Sequence, residues 1–198
     1  MERGLEGSII HRYYTFKDVI SEQDCDNFLD KYKDNDLESG AIWAFKDDAT
    51  GPSWEQQDDR RRAKISWIDV NDAVVRAVWS CVLEANTKYK LNVLGFGKAQ
   101  LTRYLKDDHY GWHQDSFYHA QITPQERKLS AILQLTKPED YEGGEVQLFN
   151  GEHDLEELPI KTQGSVIVFR SEEWHRVQPV TKGTRYSLVF WSVGPPLE

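Results

Sequence analysis

Three side chains of this sequence have the chemistry to bind one metal ion. His113 and Asp115 stand two residues apart within the segment 110–115. In an extended chain such residues point to the same face, so an imidazole and a carboxylate can share a metal. His175 follows a strand-like segment much further along the chain, beside Trp174. Together they form a set of two imidazoles and one carboxylate, which predicts a metal site.

A cation stands where the pattern predicts the interior of a sheet. Arg185 opens the otherwise apolar segment 185–191, and a buried charge without a partner is costly. A guanidinium binds a carboxylate bidentately, so an organic acid is the ligand that this position favours. Two histidines and one carboxylate leave coordination positions open, the arrangement used by non-heme Fe(II) oxygenases. The hypothesis is an iron site with an acidic co-substrate beside it.

Composition argues against several classes of protein. The chain has 198 residues and a formal net charge of −9, and we expect a single domain. The acidic balance disfavours a duplex-binding surface, and no apolar run approaches the roughly 20 residues that span a bilayer. Residues 1–14 show no secretory signal, and Cys25 and Cys81 are too few for a disulfide framework. We expect reduced thiols, a cytoplasmic location, and neither nucleic acid nor membrane as a partner.

Two helices are predicted in the first half of the chain. Ser21 begins a capping sequence before apolar residues at helical spacing, with Cys25 as a core residue rather than a nucleophile. A second apolar stripe covers residues 71–89. Between them, the polar segment 46–64 is long enough to be a lid or binding loop. Its arginines at 60–62 fit either charge pairing on a solvated face or contact with a substrate.

The second half changes to strand periodicity. Strand-like segments separated by Gly, Pro and acidic turns occur at residues 99–105, 129–135, 145–149, 164–169 and 184–191. Short strands without intervening helices predict antiparallel sheets in a sandwich or barrel. The predicted fold is mainly β with supporting α. Residues 1–93 supply helical support and a lid loop, and residues 94–196 form a β-core closest to a jelly roll, with the helices packed on one sheet.

Motifs in this second half carry a resemblance to a known family. They are His113-x-Asp115, Gly143-Gly144-Glu145, the segments 164–169 and 175–180, and Arg185-Tyr186-Ser187. In this order they resemble the Fe(II)- and 2-oxoglutarate-dependent dioxygenases, in particular the prolyl-4-hydroxylase-like branch with its double-stranded β-helix core. The resemblance covers about half of the chain, residues 94–196.

The resemblance implies roles for individual residues. His113, Asp115 and His175 would ligate iron, and Arg185 would bind the C5 carboxylate of 2-oxoglutarate. The other pocket residues that it implies are Tyr104, Gln134, Ser187 and Trp191. Collagen-type prolyl hydroxylases usually carry lysine at the position of Arg185, whereas oxygen-sensing and many bacterial relatives carry arginine. Either cation pairs with a carboxylate, so this departure leaves co-substrate binding intact and indicates nothing about the substrate.

The resemblance also implies an activity. It is hydroxylation of an unactivated C–H bond with Fe(II), 2-oxoglutarate and O₂, releasing succinate and CO₂, with ascorbate as a reductant. Because related halogenases lack the carboxylate ligand, Asp115 favours hydroxylation. A peptidyl proline is the predicted substrate, with Trp54, Phe117 and Tyr118 as aromatic contacts from the segments 46–64 and 116–128. A free amino acid or small metabolite is the alternative, and we expect a monomer or homodimer.

Other functions remain as rival hypotheses. His109 and His113 would suit a zinc hydrolase if they lay on a helix, but Gly111 between them disfavours one. AlkB-type nucleic-acid demethylation would place a second arginine at position 191, which is Trp191. A non-catalytic binding module is the hypothesis of another class, and the loss of a ligand residue would have favoured it. In the loop after the carboxylate, His119 is a candidate substrate contact.

Overall fold

The computed structural model describes residues 11–35, 37–44, 53–55, 57–116, 125–150 and 155–196 of the chain. Its helices in these ranges are α1 (Glu22–Tyr32), α2 (Ala73–Tyr89) and a 3₁₀ helix at Pro138–Asp140. The strands, in chain order, are β1 (Tyr13–Phe16), β2 (Glu38–Ser39), β3 (Ile42–Ala44), β4 (Ser53–Glu55), β5 (Arg61–Arg62), β6 (Lys64–Ile68), β7 (Gly95–Phe96), β8 (Ala99–Tyr104), β9 (His109–His113), β10 (Glu126–Gln134), β11 (Tyr141–Gly143), β12 (Val146–Phe149), β13 (Leu155–Glu157), β14 (Val166–Arg170), β15 (His175–Val177), β16 (Val180–Gly183) and β17 (Arg185–Gly194).

The strands form two antiparallel sheets, as the sequence predicts. The main sheet has the order β1-β14-β10-β17-β8-β6-β2, with β7 paired to β17, and the second sheet has the order β13-β12-β15-β9-β5. Two short ladders, β3-β4 and β11-β16, stand apart from them. From β8 onward the chain crosses repeatedly between the two sheets, which brings residues far apart in the sequence to facing positions.

Apolar clusters lie on both sides of the main sheet. On one side the buried faces of α1 and α2 pack against residues such as Leu133 and Leu188, so the helices cover one sheet as predicted. On the other side Ile132 of the main sheet meets Leu148 and Val177 of the second sheet. Ile132 and Val177 also line a cavity between the sheets, and this cavity contains the candidate site.

Both α-helices begin at a capping side chain. The Ser21 hydroxyl accepts the N–H of Asp24 at 3.1 Å, which confirms the predicted start of α1. The Asp72 carboxylate accepts the N–H of Val74 at 2.9 Å, so α2 begins at Ala73 rather than at residue 71. Among the helices in the described ranges, none has the length and apolar character needed to cross a membrane.

The two cysteines are core residues. Cys25 on α1 and Cys81 on α2 are buried and form no disulfide. Burial raises the pKa of Cys25 to about 12 and that of Cys81 to about 11. A protonated, buried thiol is a poor nucleophile, so the prediction that Cys25 serves packing is confirmed.

The predicted segments of the second half are strands whose bounds differ by a few residues. The segment 129–135 belongs to β10, which begins earlier, at Glu126, and the segment 184–191 belongs to β17, which continues to Gly194. The segment 164–169 corresponds to β14. The residues that β10 adds at its start, Glu126 to Lys128, are charged, which is why apolar patterning did not include them.

The first half is less helical than predicted. Strands β1 to β6 lie within residues 1–93, where β1, β2 and β6 extend the main sheet and β5 extends the second. The segment 46–64 is therefore not structureless, because β4 and β5 fall within it; residues 46–52 and 56 lie outside the described residues. Strands of two or three residues are too short to show a period of two in the sequence.

Candidate metal centre and its pocket

Two neighbouring strands of the second sheet bring the two histidines together. His113 ends β9 and His175 begins β15, and they are direct partners in the antiparallel ladder. Their ring centroids lie 4.0 Å apart. The carboxylate of Asp115 faces both rings, with its oxygens 3.7 Å from Nε2 of His113 and 3.5 Å from Nε2 of His175. One ligand atom of each residue lies within 4.8 Å of the others.

Asp115 reaches this position by a route that the sequence did not predict. Strand β9 ends at His113, and Asp115 lies in a bend beyond it, so strand alternation does not place the two side chains together. Instead, the Asp115 N–H donates to the carbonyl of Ser171 at 2.9 Å. The Ser130 hydroxyl donates to Asp115 Oδ2 at 2.7 Å and lies 2.8 Å from the Ser171 hydroxyl. These bonds hold the carboxylate in front of the histidines.

Backbone carbonyls set the tautomer of both imidazoles. Nδ1 of His113 lies 2.8 Å from the carbonyl of Gly111, and Nδ1 of His175 lies 2.9 Å from the carbonyl of Glu173. A carbonyl only accepts hydrogen bonds, so Nδ1 carries the proton, and in the neutral ring Nε2 is then the atom with the free lone pair. Both lone pairs belong to the atoms that face Asp115. This is the outer-shell arrangement that orients metal-binding histidines.

The charge states of the cluster suit a divalent cation. Burial lowers the pKa of His113 well below its usual range, and the neighbouring His175 lowers it further, so the His113 ring is neutral at pH 7. Burial acts to raise the pKa of Asp115, but the two imidazoles, Arg127 and the Ser130 hydrogen bond outweigh it and lower that pKa to about 2. The cluster therefore offers an ionised carboxylate and a neutral imidazole. Both are the forms that ligate metals.

The cluster opens into a cavity of about 350 Å³ between the two sheets. Of the other residues predicted for the site, Tyr104 and Trp191 line this cavity. Tyr110 also lines it, with its ring stacked on His113 at 3.5 Å between centroids. Apolar walls and a few convergent polar groups are typical of a small-molecule site.

Arg185 lies in the strand beside the cavity wall. It is 1% exposed, it pairs with Tyr104 across β17 and β8, and its guanidinium carbon lies 5.7 Å from that ring. Its Nη2 has no hydrogen-bond partner among the described residues. Gly144 leaves it room: a Cβ there would lie 2.9 Å from Arg185 Cδ, and the backbone φ of +69° itself favours glycine. A buried N–H without an acceptor fits a site for a carboxylate.

Gln134 and Ser187 are neighbours of Arg185 and do not line the cavity. They are direct partners across β10 and β17, and both are buried. Gln134 Nε2 donates to the carbonyl of Thr136 at 3.0 Å, while its Oε1 has no partner in the described part of the chain. Ser187 lies two residues after Arg185 on β17, and Gln134 lies on the neighbouring strand β10, so both belong to the main sheet and not to the second sheet that carries the two histidines.

Two further arginines reach the pocket. Of the two interpretations of residues 60–62, the solvated face does not hold for Arg61, which lies on β5, is 7% exposed and lines the cavity. Arg127, on β10, also lines it. The pairing of β10 with β17 shifts by one residue between Arg127 and Ser130. Such a bulge turns both side chains to the same face, and strand alternation in the sequence gives no sign of it.

The remaining predicted contacts fall outside what the structure shows. Phe117, Tyr118 and His119 lie outside the described residues, and so does the side chain of Trp54. His109 lies on strand β9 rather than on a helix, which removes the helical geometry that a zinc pair with His113 would need. Its ring nitrogens lie near the carbonyls of Asp107 and Asp59.

The structure therefore has two facing antiparallel sheets with a His-Asp-His cluster in the cavity between them. This is the architecture of a β-sandwich protein with a candidate metal centre. The sequence model of the 2OG-Fe(II) oxygenase superfamily matches residues 99–193, from β8 into β17. The chain is 37% identical over 94 residues to the PKHD-type hydroxylase HEAR3399 of Herminiimonas arsenicoxydans, a match covering 45% of this chain and 40% of that protein. It is 27% identical over 187 residues to the PKHD-type hydroxylase YbiX of Escherichia coli, covering 90% of this chain and 76% of YbiX.

A solved structure shares the fold. The prolyl-4-hydroxylase of Pseudomonas putida superposes with a TM-score of 0.68 at 21% identity, covering 94% of each chain. These matches agree with the resemblance seen in the motifs: residues 99–193 match the 2OG-Fe(II) oxygenase superfamily model, PKHD-type hydroxylases are sequence relatives, and the chain shares the fold of a prolyl-4-hydroxylase.

Proposed function

We propose that this protein is a hydroxylase that uses 2-oxoglutarate and O₂ to oxidise an unactivated C–H bond. The observation that carries the proposal is the convergence of His113, Asp115 and His175, whose ligand atoms lie within 4.8 Å of one another in a cavity wall. The superfamily match over residues 99–193 supports the same function. PKHD-type hydroxylases are among its sequence relatives.

The residues present fit ferrous iron as the bound metal. Both histidines turn Nε2 toward the carboxylate, and this ligand set is the facial triad of Fe(II) oxygenases. His113, Asp115 and His175 would hold the ion. When bound, the iron supplies the coupled oxidation in which 2-oxoglutarate and O₂ become succinate and CO₂ and one oxygen atom enters the substrate C–H bond. Ascorbate is the reductant that we propose to keep the metal ferrous.

The neighbouring residues bind and orient the co-substrate in this proposal. Arg185, with its unpartnered Nη2, binds the C5 carboxylate of 2-oxoglutarate. Tyr104, Gln134 and Ser187 line the same region and offer hydroxyl and amide groups to that carboxylate. Trp191 forms part of the wall near the substrate. The low polarity of such a buried site strengthens each of these charged hydrogen bonds.

The fold and domain organisation belong to the same proposal. The repeated crossing of the chain between two four-stranded sets, β8-β17-β10-β14 and β9-β15-β12-β13, supports a double-stranded β-helix, or jelly roll, over residues 94–196. We propose that residues 1–198 form one oxygenase domain in which the first half covers and extends this core.

Two classes of substrate are candidates. The fold shared with a prolyl-4-hydroxylase supports a peptidyl proline, which is the predicted substrate. A free amino acid or small metabolite is the second candidate, and the two additional arginines in the pocket, Arg61 and Arg127, favour it.

A spectroscopic titration tests the proposed function. The protein is mixed anaerobically with Fe(II) and 2-oxoglutarate, and the visible charge-transfer band of the chelate is recorded. We expect the band in the unaltered protein, its loss in His175→Ala, and a need for far more 2-oxoglutarate in Arg185→Ala. Arg62→Ala, which removes an exposed arginine, is the matched control. Stoichiometric metal binding without the band would contradict the proposal and favour a non-catalytic module.

A further inference from the structure

The turn of residues 171–174, between β14 and β15, supports two of the three candidate metal ligands. At its start, the carbonyl of Ser171 accepts the N–H of Asp115 at 2.9 Å. Near its end, the carbonyl of Glu173 lies 2.9 Å from Nδ1 of His175. The position of this short turn therefore affects the orientation of an imidazole and of the carboxylate that faces it.

An arginine from the first half of the chain holds this turn. Arg12 directly precedes β1, and its Nη2 donates to the carboxylate of Glu173 and, at 2.9 Å, to the carbonyl of Phe149 at the end of β12. Its Nη1 donates to the side chain of Asn150 at 3.2 Å and lies 3.6 Å from the carboxylate of Glu156 on β13. One guanidinium thus joins the turn to the ends of two strands of the second sheet.

The main chain of Arg12 is fixed as well. Its carbonyl accepts the hydroxyl of Tyr89, the last residue of α2, at 2.9 Å. The next residue, Tyr13, is the partner of Phe169 in the ladder between β1 and β14. Because the planar guanidinium loses little freedom for each hydrogen bond that it forms, Arg12 can act as a fixed support for the turn.

Glu173 links this ion pair to the metal centre. Its carboxylate receives Arg12 and its carbonyl faces His175, so a displacement of this one residue changes both contacts. An isolated ion pair at the surface contributes little. Here the guanidinium has several acceptors, both partners are less than one third exposed, and charge-assisted hydrogen bonds are roughly twice as strong as neutral ones.

We propose that Arg12 is a positioning residue of the metal centre, which acts through Glu173 on the orientation of His175. The ion pair fixes the residue whose carbonyl binds the Nδ1 proton of His175, and this keeps Nε2 of the ring directed at Asp115, 3.5 Å away. Arg12 lies outside residues 99–193, the part of the chain that the superfamily model matches. The inference rests on the proposed function only for the identity of the metal.

Two measurements test this proposal on the full-length protein. In metal-free protein with isotopically labelled histidine, proton–nitrogen NMR spectra show which ring nitrogen carries the proton and how fast that proton exchanges with water. The signals of His175 are identified by their loss in His175→Ala. His113, whose Nδ1 lies 2.8 Å from the carbonyl of Gly111, is the internal reference. Fe(II) affinity is measured anaerobically by competition with a chelator, and thermal unfolding is recorded beside it.

The variants remove one partner of the ion pair at a time. Glu173→Gln removes the charge and keeps the backbone carbonyl, and Arg12→Met removes the guanidinium. We expect each to speed exchange of the His175 Nδ1 proton and to weaken Fe(II) binding by about 3- to 10-fold, less than the roughly 10- to 100-fold loss for a direct outer-shell partner. The double variant should lose no more than the larger single loss, because both changes break one interaction. Arg12→Lys should restore part of the affinity.

A neighbouring glutamate provides the matched control. Glu172 lies in the same turn but pairs with Arg170, so Glu172→Gln should change neither the His175 signals nor the affinity for Fe(II). The signals of His113 should stay unchanged in every one of these variants.

Other results would overturn the inference. Unchanged His175 signals in both Arg12→Met and Glu173→Gln would contradict it, and so would equal changes at His113, which would indicate a general loosening of the fold. A lower unfolding temperature with unchanged Fe(II) affinity would mean that the ion pair serves stability alone. The absence of a slowly exchanging Nδ1 proton on His175 in the unaltered protein would also contradict it.

Failure of the proposed function is seen separately. The visible band of the chelate with Fe(II) and 2-oxoglutarate would then be missing in the unaltered protein. The NMR measurement uses metal-free protein, so it still shows whether Arg12 positions His175 in that case.

Discussion

Strand β17 sends alternate side chains to opposite faces of the main sheet. Leu188 and Phe190 face the helices and join a wholly apolar cluster, whereas Ser187 and Trp191 have the opposite parity and face the second sheet. Arg185, at the start of the strand, shares that second face and is only 1% exposed. One strand therefore stabilises the fold with one set of side chains and builds the pocket with the other.

The same contrast runs across the neighbouring strands. On β8, Leu101 packs toward the helices, while Gln100 and Thr102 line the cavity. Because strand residues alternate, a substitution on one face can be matched with a substitution one position away on the other. We call the side of the main sheet that packs on α1 and α2 the helix face, and the side that borders the cavity the pocket face. Substitutions on the helix face should change the free energy of unfolding, and those on the pocket face should change ligand binding.

Replacing a metal-ligating residue should give the largest effect, and that effect should be a loss of turnover. We expect His175→Ala to lower the rate of 2-oxoglutarate turnover by more than about 100-fold, because even outer-shell partners of metal ligands cost about 10- to 100-fold. The measurement is succinate formation at saturating Fe(II). His109→Ala alters a histidine outside the cluster and serves as the control. An equal loss in both variants would contradict the assignment of the ligands.

Truncating a buried leucine on the helix face should instead lower stability and leave ligand binding unchanged. Leu188 is fully buried between Leu101 and Leu133 in the ladder, so Leu188→Ala should lower the free energy of unfolding by about 2–5 kcal/mol. The folded fraction should still bind 2-oxoglutarate with unchanged affinity. Denaturant unfolding measures the first quantity and the visible titration the second. Leu83→Ala, which alters a half-exposed leucine of α2, should change stability by less than about 0.5 kcal/mol.

The two faces also differ in how far the sequence predicts them. On the helix face, the apolar spacing of α2 and the capping at Ser21 predicted two helices that pack on one sheet, because burial there depends only on hydrophobic periodicity. On the pocket face, His113, Asp115 and His175 stood out because their residue types are those of a metal site. The structure brings them together, although Asp115 arrives through a bend and not by strand alternation.

Arg61 and Arg127 show where prediction from the sequence ends. Arg61 lies in a run of three arginines that also fits a solvated face, and only the pairing of β5 with β9 turns the middle one inward. Arg127 stands between Glu126 and Lys128, and only the bulge in β10 aims it into the cavity. Both depend on contacts between distant strands. Local residue patterns do not encode such contacts, which is why the polar half of the pocket had to be found in the structure.

A smaller effect is expected from the hydrogen bond that holds the carboxylate. Ser130 Oγ donates to Asp115 at 2.7 Å, so Ser130→Ala should weaken Fe(II) binding by about 10- to 100-fold without abolishing turnover. Metal affinity is measured by competition with a chelator, and thermal unfolding is recorded beside it. Ser80→Ala, on the exposed side of α2, should leave both unchanged. Equal metal affinity in the two variants would show that Ser130 does not position the ligand.

The smallest effect concerns the thiols of the helix face. The pKa of Cys25 is raised to about 12 and that of Cys81 to about 11 by burial, against 9.0 for the free group, so the folded state retains protons that the unfolded state loses. The thiols' contribution to the free energy of unfolding should therefore be constant below about pH 9 and fall as the pH rises toward 11 and 12. Cys25→Ala should flatten this decline, as measured by denaturant unfolding at several pH values. A matched decline in the variant would mean that other groups cause it, and rapid reaction of both native thiols with a disulfide reagent at pH 8 would show that the helix face opens more readily than its packing indicates.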